Sequence, residues 1–213
     1  MITVWGRATS SNVQSVMWCL DELGLTSDRI DIGHKFGGND TEAFLAMNPN
    51  GRVPVLQDGN NAPIWESGAI LRYLANVYGR ADFWPADYGA RAEVDKWAEW
   101  AKINIALQFT GPIFWPVVRT RPENRDEATL ARSLAGFQKN LAIAEARLSE
   151  YDFIAGLGFS LADIQFGHIL FRYYTIDIER PEHPALDDYY EMLSARPGYQ
   201  DHVMIDYSDL RPD

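Results

Sequence analysis

Asn48-Pro49-Asn50-Gly51-Arg52-Val53-Pro54-Val55-Leu56 is followed, after a short turn, by Ile64-Trp65-Glu66-Ser67-Gly68, and these two stretches decide the fold of the chain's first half. Pro54 has no amide hydrogen, so a strand tolerates it only at its first residue or on an edge. The X-Pro bond before it costs little in cis, and a cis bond there would turn the carbonyl and amide of Val53 outward. An extended peptide could then pair with them as an added strand does. Asp58-Gly59 and Asn60-Asn61 read as the turn of a hairpin joining residues 53–56 to residues 63–65. Ile70, Leu71, Leu74 and Tyr78 recur at three- and four-residue spacing, so a helix begins at Ser67. Its free amides and positive dipole end suit a carboxylate, and Glu66, one residue earlier, suits an ammonium group. A proline at a strand start also serves as a plain turn residue, and Glu-Ser before a helix also serves as a simple cap. Order and separation join the two into a main-chain clamp for a small peptide bearing both an amine and a carboxylate.

Outward from the clamp, Ile2-Thr3-Val4-Trp5 reads as a strand. Val13, Val16, Met17, Leu20 and Leu23 recur at helical spacing and end at Gly24, a helix stop. Arg29-Ile30-Asp31-Ile32 suggests a second strand, and residues 41–47 a short helix stopped by Asn48-Pro49. That order, βαβ-α-ββ-α, fits a small mixed sheet with helices packed on it. The chain divides as an α/β unit over 1–79, a linker over 80–88 and an all-helical unit over 89–213. In the last unit, residues 90–110 read as one helix with Trp97, Trp100 and Leu107 on one side. Gly111-Pro112 and Trp115-Pro116 are expected to kink or end it. Leu130, Leu134, Phe137, Leu141 and Leu148 mark a long amphipathic helix. Phe159-Ser160-Leu161-Ala162-Asp163-Ile164 has the form of a capping box with a hydrophobic staple. The helix it opens, through Ile169, Leu170 and Tyr173, is apolar nearly all round and is expected to be central; the motif's role is structural.

Bulk numbers narrow the function classes. A chain of 213 residues, 46% hydrophobic and 23% charged, can bury a substantial core. Its net charge of −11 argues against nucleic acid or an anionic membrane as the main partner. The single cysteine allows no internal disulfide framework and fits a reducing cytosol. No charged-then-apolar leader opens the chain and no apolar run reaches about 18 residues, so a soluble cytoplasmic protein is expected. Cys19 sits among Val16 and Leu20 and reads as a buried small hydrophobe. His34, His168, His183 and His202 show no ligand spacing, and no metal is assigned.

The α/β unit, the Val53-Pro54 strand mouth, the Glu66-Ser67 pair and the capped central helix together resemble the cytosolic glutathione transferases, over essentially the whole chain. The resemblance implies a thioredoxin-like N-terminal domain, an all-α C-terminal domain and a two-fold homodimer. Glutathione would lie along the first domain as co-substrate, with an apolar pocket for an electrophile at the seam. Val53, beside a cis Pro54, would pair with the cysteinyl backbone. Ser67 would take the γ-glutamyl carboxylate, Glu66 the amine, and Arg52 the glycyl carboxylate. The chemistry would centre on Ala8-Thr9-Ser10-Ser11-Asn12, where a hydroxyl or amide donor at the first helix's start favours a thiolate.

No tyrosine lies in that turn, so the chain departs from the tyrosine-using classes; Ser10 is the first candidate, Asn12 the second and Ser11 the third. Ser, Thr and Asn also cap helices, and a capping residue and a thiolate donor can be the same residue. Phe109, Phe114 and Trp115 are candidates for lining the electrophile pocket, with core packing as the alternative. The expected reaction is conjugation of the glutathione thiolate to a small, largely apolar electrophile. Disulfide or peroxide reduction, or dehalogenation, on the same site is the second reading, which Asn12 keeps open. A non-catalytic binding module is the third, and the joint presence of Ser10, Glu66 and Ser67 counts against it.

Overall fold

The computed structural model describes residues 1–156 and 158–212. Its first half is a four-stranded mixed sheet in the order β2-β1-β3-β4, from β1 (Ile2–Trp5), β2 (Ser27–Ile30), β3 (Val55–Asp58) and β4 (Ile64–Trp65). β1 runs parallel to β2 and antiparallel to β3, with Trp5 opposite Val55, and β3 pairs antiparallel with β4. The second strand thus ends two residues earlier than the apolar pattern suggests. A 3-10 turn over His34–Phe36, which the sequence does not announce, follows it.

Helix α1 (Ser11–Glu22) crosses from β1 to β2 and ends as Gly24 predicts. Gly24 adopts φ 68°, and the amides of Leu25 and Gly24 return to the carbonyls of Leu20 and Asp21, closing a Schellman motif. Helix α2 (Glu42–Met47) is capped by the Thr41 hydroxyl. Helix α3 (Ser67–Tyr78) starts at the predicted serine. Val13, Val16 and Leu20 of α1 and Ile70, Leu71 and Leu74 of α3 are buried with Val4 and Leu56 of the sheet in one apolar cluster. In the connecting segment over 80–87, Phe83 and Trp84 are buried and the Trp84 indole donates to Asn76.

The second half is helical. Helix α4 (Tyr88–Trp100) is capped by Asp87. It is continuous with a π-helical segment (Ala101–Ala106), a single turn α5 (Leu107–Phe109), a second π-helical segment (Thr110–Phe114) and α6 (Trp115–Arg119). The expected break at Gly111-Pro112 is therefore a change of helical winding. Wider i→i+5 turns rotate the face that later residues present. Trp97 and Trp100 meet edge to face at 5.2 Å and pack on the core. Leu107, expected on their side, is 57% exposed instead.

Helix α7 (Glu127–Leu148) buries the predicted stripe, apart from partly buried Leu134. Helix α8 (Leu161–Gly167) is buried at every residue, and α9 (Leu170–Thr175) follows after a break at His168 and Ile169 where one helix was expected. Helices α10 (Pro184–Ser194) and α11 (Pro197–His202) complete the bundle.

The start of α8 shows why this helix can be central. The Asp163 carboxylate accepts from the Ser160 amide at 2.8 Å and the Ser160 hydroxyl at 3.0 Å. It also accepts from the Ile154 amide at 3.1 Å and the Tyr189 hydroxyl at 2.8 Å. Burial pushes the Asp163 carboxyl's pKa up, and these bonds oppose the shift. The two halves meet along α1. Trp18 packs edge to face on Tyr199 at 4.9 Å, and Arg196 grips Glu22 with two nitrogens. At Gly167 an added Cβ would stand 2.5 Å from Leu193 and 3.1 Å from Trp18, so only glycine lets the helices approach this closely. No helix among the described residues is long and apolar enough to cross a membrane.

Candidate functional site

A cleft of about 500 Å³ lies where the turn into α1, the mouth of β3 and the π-wound stretch converge. Ser10, Ser11 and Asn12 line it from the first, Gly51, Arg52 and Val53 from the second, and Lys102, Leu107, Thr110 and Trp115 from the third. Ser10, Ser11, Asn12, Arg52 and Val53 are thus brought to one place, whereas Pro54, Glu66 and Ser67 lie outside this lining.

The Val53-Pro54 bond is cis, and β3 begins one residue after Pro54. Among the described residues the amide and carbonyl of Val53 have no hydrogen-bond partner. The loop before it is tied down by Asn48, whose amide donates to the Arg52 carbonyl at 2.7 Å and whose oxygen accepts from the Asn50 amide. Arg52 itself is exposed at the rim.

Ser10 is the N-cap residue of α1. Its backbone is extended and its carbonyl accepts from Val13 and Gln14, but its side chain makes no capping bond. Its hydroxyl has no partner among the described residues. Ser11 is 7% exposed beneath it. Asn12 is engaged, because its side-chain oxygen accepts from Ser67 at 3.3 Å and from the Lys102 ammonium at 3.1 Å.

Lys102 also donates to the Ser67 hydroxyl at 2.8 Å, closing a triangle of one residue from α1, one from α3 and one from the helical half. Burial lowers the Lys102 pKa, and the carboxylates of Glu66 and Glu99 oppose that shift. A cation, a serine hydroxyl and the N-terminus of a twelve-residue helix therefore share one point, a combination whose chemistry suits a carboxylate. Glu66, beside it, adopts φ 68°, which is uncommon for a residue with a Cβ and costs of order 1–3 kcal/mol. Its carboxylate is exposed and caps nothing. Paired anion and cation receptors at neighbouring residues match the head of an amino acid.

Two candidates are corrected. Phe109 and Phe114 are fully buried, their rings 6.0 Å apart, and Phe109 also packs on Phe137 and Tyr173; they are core and do not line the cleft. Trp115, 47% exposed, does line it. The first π segment precedes Phe109 and the second ends at Phe114, and along this changed winding the first two face inward and the third faces out. Cys19 is buried, and burial raises its thiol pKa, as befits a packing residue.

Lys102 escaped sequence reasoning. Its signal is a lone cation in Ala101-Lys102-Ile103-Asn104-Ile105-Ala106-Leu107, a stretch with no other charge. Arg172 escaped as well. It lies in the helix read as apolar nearly all round, is 3% exposed, and donates to the Thr9 carbonyl at 2.8 Å, bracing the turn that carries Ser10.

Comparison with known proteins adds to this geometry. Residues 1–76 match the family description "Glutathione S-transferase, N-terminal domain", and residues 105–197 match "Glutathione S-transferase, C-terminal domain". Glutathione S-transferase GstB of Escherichia coli K12 is 38% identical, over 98% of this chain and 100% of its own length. Glutathione S-transferase 3 of Zea mays is 30% identical over 93% of this chain and 91% of its own. The crystal structure of the theta class enzyme of Xanthomonas axonopodis pv. citri, with glutathione bound, superposes with a TM-score of 0.90. It is 43% identical and covers 96% of this chain and 98% of that one. Sheet order, helical bundle and sequence identity along the whole chain agree, and this protein belongs to the glutathione S-transferase family.

Proposed function

We propose that this enzyme binds glutathione in the cleft and that the thiolate attacks a small, largely apolar electrophile. A carbon–sulfur bond forms and the displaced group leaves with the electron pair of the bond it broke. The observation that carries this reading is the free hydroxyl of Ser10, at the start of α1 and in the lining of the cleft. A thiol of ordinary pKa, about 8.5, is only a few per cent thiolate at neutral pH. A hydroxyl donor at a helix start lowers that pKa, because both the hydrogen bond and the helix dipole favour the anion.

The remaining roles follow from the chemistry of each position. Val53 supplies an unused donor and acceptor for the cysteinyl unit. Ser67, the α3 terminus and Lys102 take the γ-glutamyl carboxylate, Glu66 the amine, and Arg52 the glycyl carboxylate at the rim. Leu107 and Trp115 give the electrophile an apolar surface. The protein lowers the barrier by holding the thiolate and positioning its target, without bonding covalently to either. Pairing into a two-fold dimer is part of the proposal; Val77 and Tyr88, 52% and 84% exposed, offer apolar surface for it, and sedimentation reads it directly.

Calorimetric titration with glutathione, followed by conjugation of a chromogenic aryl halide, tests the function. Heat of binding and thioether product are expected. Binding with turnover only of a mixed disulfide or hydroperoxide would replace conjugation by reduction, and no binding would remove both.

A further inference from the structure

Arg7 lines the cleft, with its guanidinium against Gly33, where an added Cβ would stand 3.5 Å from Nη1. Arg119 lies 5.2 Å above the ring of Trp115, which lines the same cleft. Arg172 lies 4.6 Å above Phe114 and braces the turn at Thr9. The Nε of each of these three arginines is buried without a hydrogen-bond partner among the described residues. None of the three forms an ion pair among those residues. Each one's pKa is lowered, chiefly by burial, and each of Arg7 and Arg172 is further lowered by the charge of Arg119.

The carboxylate in reach of their field, Asp209, is gripped by Lys35 at 2.9 Å. His34, which also lines the cleft, is pushed towards the neutral form by burial and by Arg7 and Arg119. In a chain of net charge −11, this end of the cleft thus concentrates positive charge that Asp209, which opposes the shift at all three arginines, offsets only in part. Burying unpaired guanidinium groups is costly, and an anion at that point would offset the cost.

We propose that the electrophile this enzyme accepts bears a carboxylate, held by Arg7 and Arg119 at the Trp115 end of the cleft, with buried Arg172 behind them reinforcing the field. This rests on the conjugation reading. Glutathione also carries carboxylates, but Lys102, Ser67 and Arg52 already offer cationic or helix-terminal positions for both. Trp115 instead belongs to the helical wall of the cleft, and Arg119 lies over its ring just outside the lining. The thiolate adds to the ring or chain carbon that bears the halogen, halide departs, and the carboxylate is unchanged.

The probe is a chloronitrobenzoate with chlorine para and nitro meta to the carboxylate, compared with its primary amide at saturating glutathione. Each kcat/KM is divided by the compound's uncatalysed rate constant with glutathione. The wild-type enzyme is expected to favour the acid by tenfold or more. Arg119→Gln should lower that acid-to-amide ratio at least tenfold, and Arg119→Lys should restore part of it. Benzoate should compete with the acid, and benzamide should not, which tests the proposal on the unaltered protein even if a variant fails to fold. An amide turned over as well as the acid, with a ratio indifferent to Arg119, overturns the carboxylate and leaves conjugation standing. A KM for glutathione that rises equally with both probes in Arg119→Gln would assign the arginines to glutathione and overturn it too. Turnover of neither compound overturns both readings.

Discussion

Two helix starts in this molecule share a vocabulary and differ in what is left over. At α8, Ser160 and Asp163 use their polar groups on each other, on Ile154 and on Tyr189, and both residues are fully buried. At α3, Glu66 and Ser67 are also an acid and a serine beside a helix start. There the carboxylate is exposed and caps nothing, and the serine hydroxyl is joined to Lys102 and Asn12 at the edge of a cleft. At α8 every one of these polar groups is spent inside the core, whereas at α3 the Glu66 carboxylate is left open and the Ser67 hydroxyl is spent on Lys102 and Asn12, two residues that line the cleft. A serine and an acid at a helix start do not by themselves say which.

The contrast can be broken first at α8. Asp163→Ala removes one acceptor from four buried donors, and because each abandoned donor costs about 1–3 kcal/mol, a net loss of about 3–5 kcal/mol is expected. Urea titration of the variant reads it, and a loss below about 1 kcal/mol would show that the box is dispensable. At the site, Ser10→Ala removes no capping bond, so the urea midpoint should barely move. The kcat for conjugation should fall about a hundredfold, the usual effect of losing one donor to a developing anion. The bound thiol should titrate at higher pH; an unmoved titration would transfer the role to Asn12.

Ser67→Ala is the open counterpart of the Asp163 change. It should raise the KM for glutathione about tenfold, equivalent to about 1.4 kcal/mol, with little change in kcat. Loss of stability comparable to that of Asp163→Ala would erase the distinction between the two helix starts.

A pH-dependent effect sharpens the picture of the closed region. His168 ends α8 fully buried, and its pKa is lowered from 6.5 to about 3, by burial first and then by Lys102 and Arg172. Between those values the unfolded chain binds a proton that the folded chain refuses. Stability is then full above the ordinary histidine range and drains away as pH falls towards the folded value, by at most about 1.4 kcal/mol per pH unit. His168→Gln should flatten that acid limb relative to wild type in urea midpoints taken from neutral to mildly acidic pH. Parallel curves for the two proteins would exclude the histidine as its source.

Most of the sheet half is legible because its signals are local. Gly24, Thr41, Asn48-Pro49, the hairpin turn and Ser67 each punctuate the chain within a few residues of the element they end or begin. The capping box and the α7 stripe are legible for the same reason. Val53 and Ser67 are legible as a pair, since their residue types and order suggest a peptide clamp, and Ser10 rests on the resemblance to the glutathione transferases. What stays hidden depends on register. The π-wound segments shift the face of the long helix, so Lys102 reaches the cleft, Leu107 is exposed, and Phe109 and Phe114 turn inward. Periodicity at 3.6 residues carries no trace of that shift. Arg172 is hidden for a different reason, because one cation in an otherwise apolar helix hardly disturbs the pattern.

The Lys102 bridge bears on what happens when relatives exchange parts. A chimera that grafts residues 1–79 onto a foreign bundle would keep the strand mouth and Ser10 yet forfeit the ammonium that meets Asn12 and Ser67. On the proposed reading, such an exchange would alter the grip on glutathione as well as the choice of electrophile.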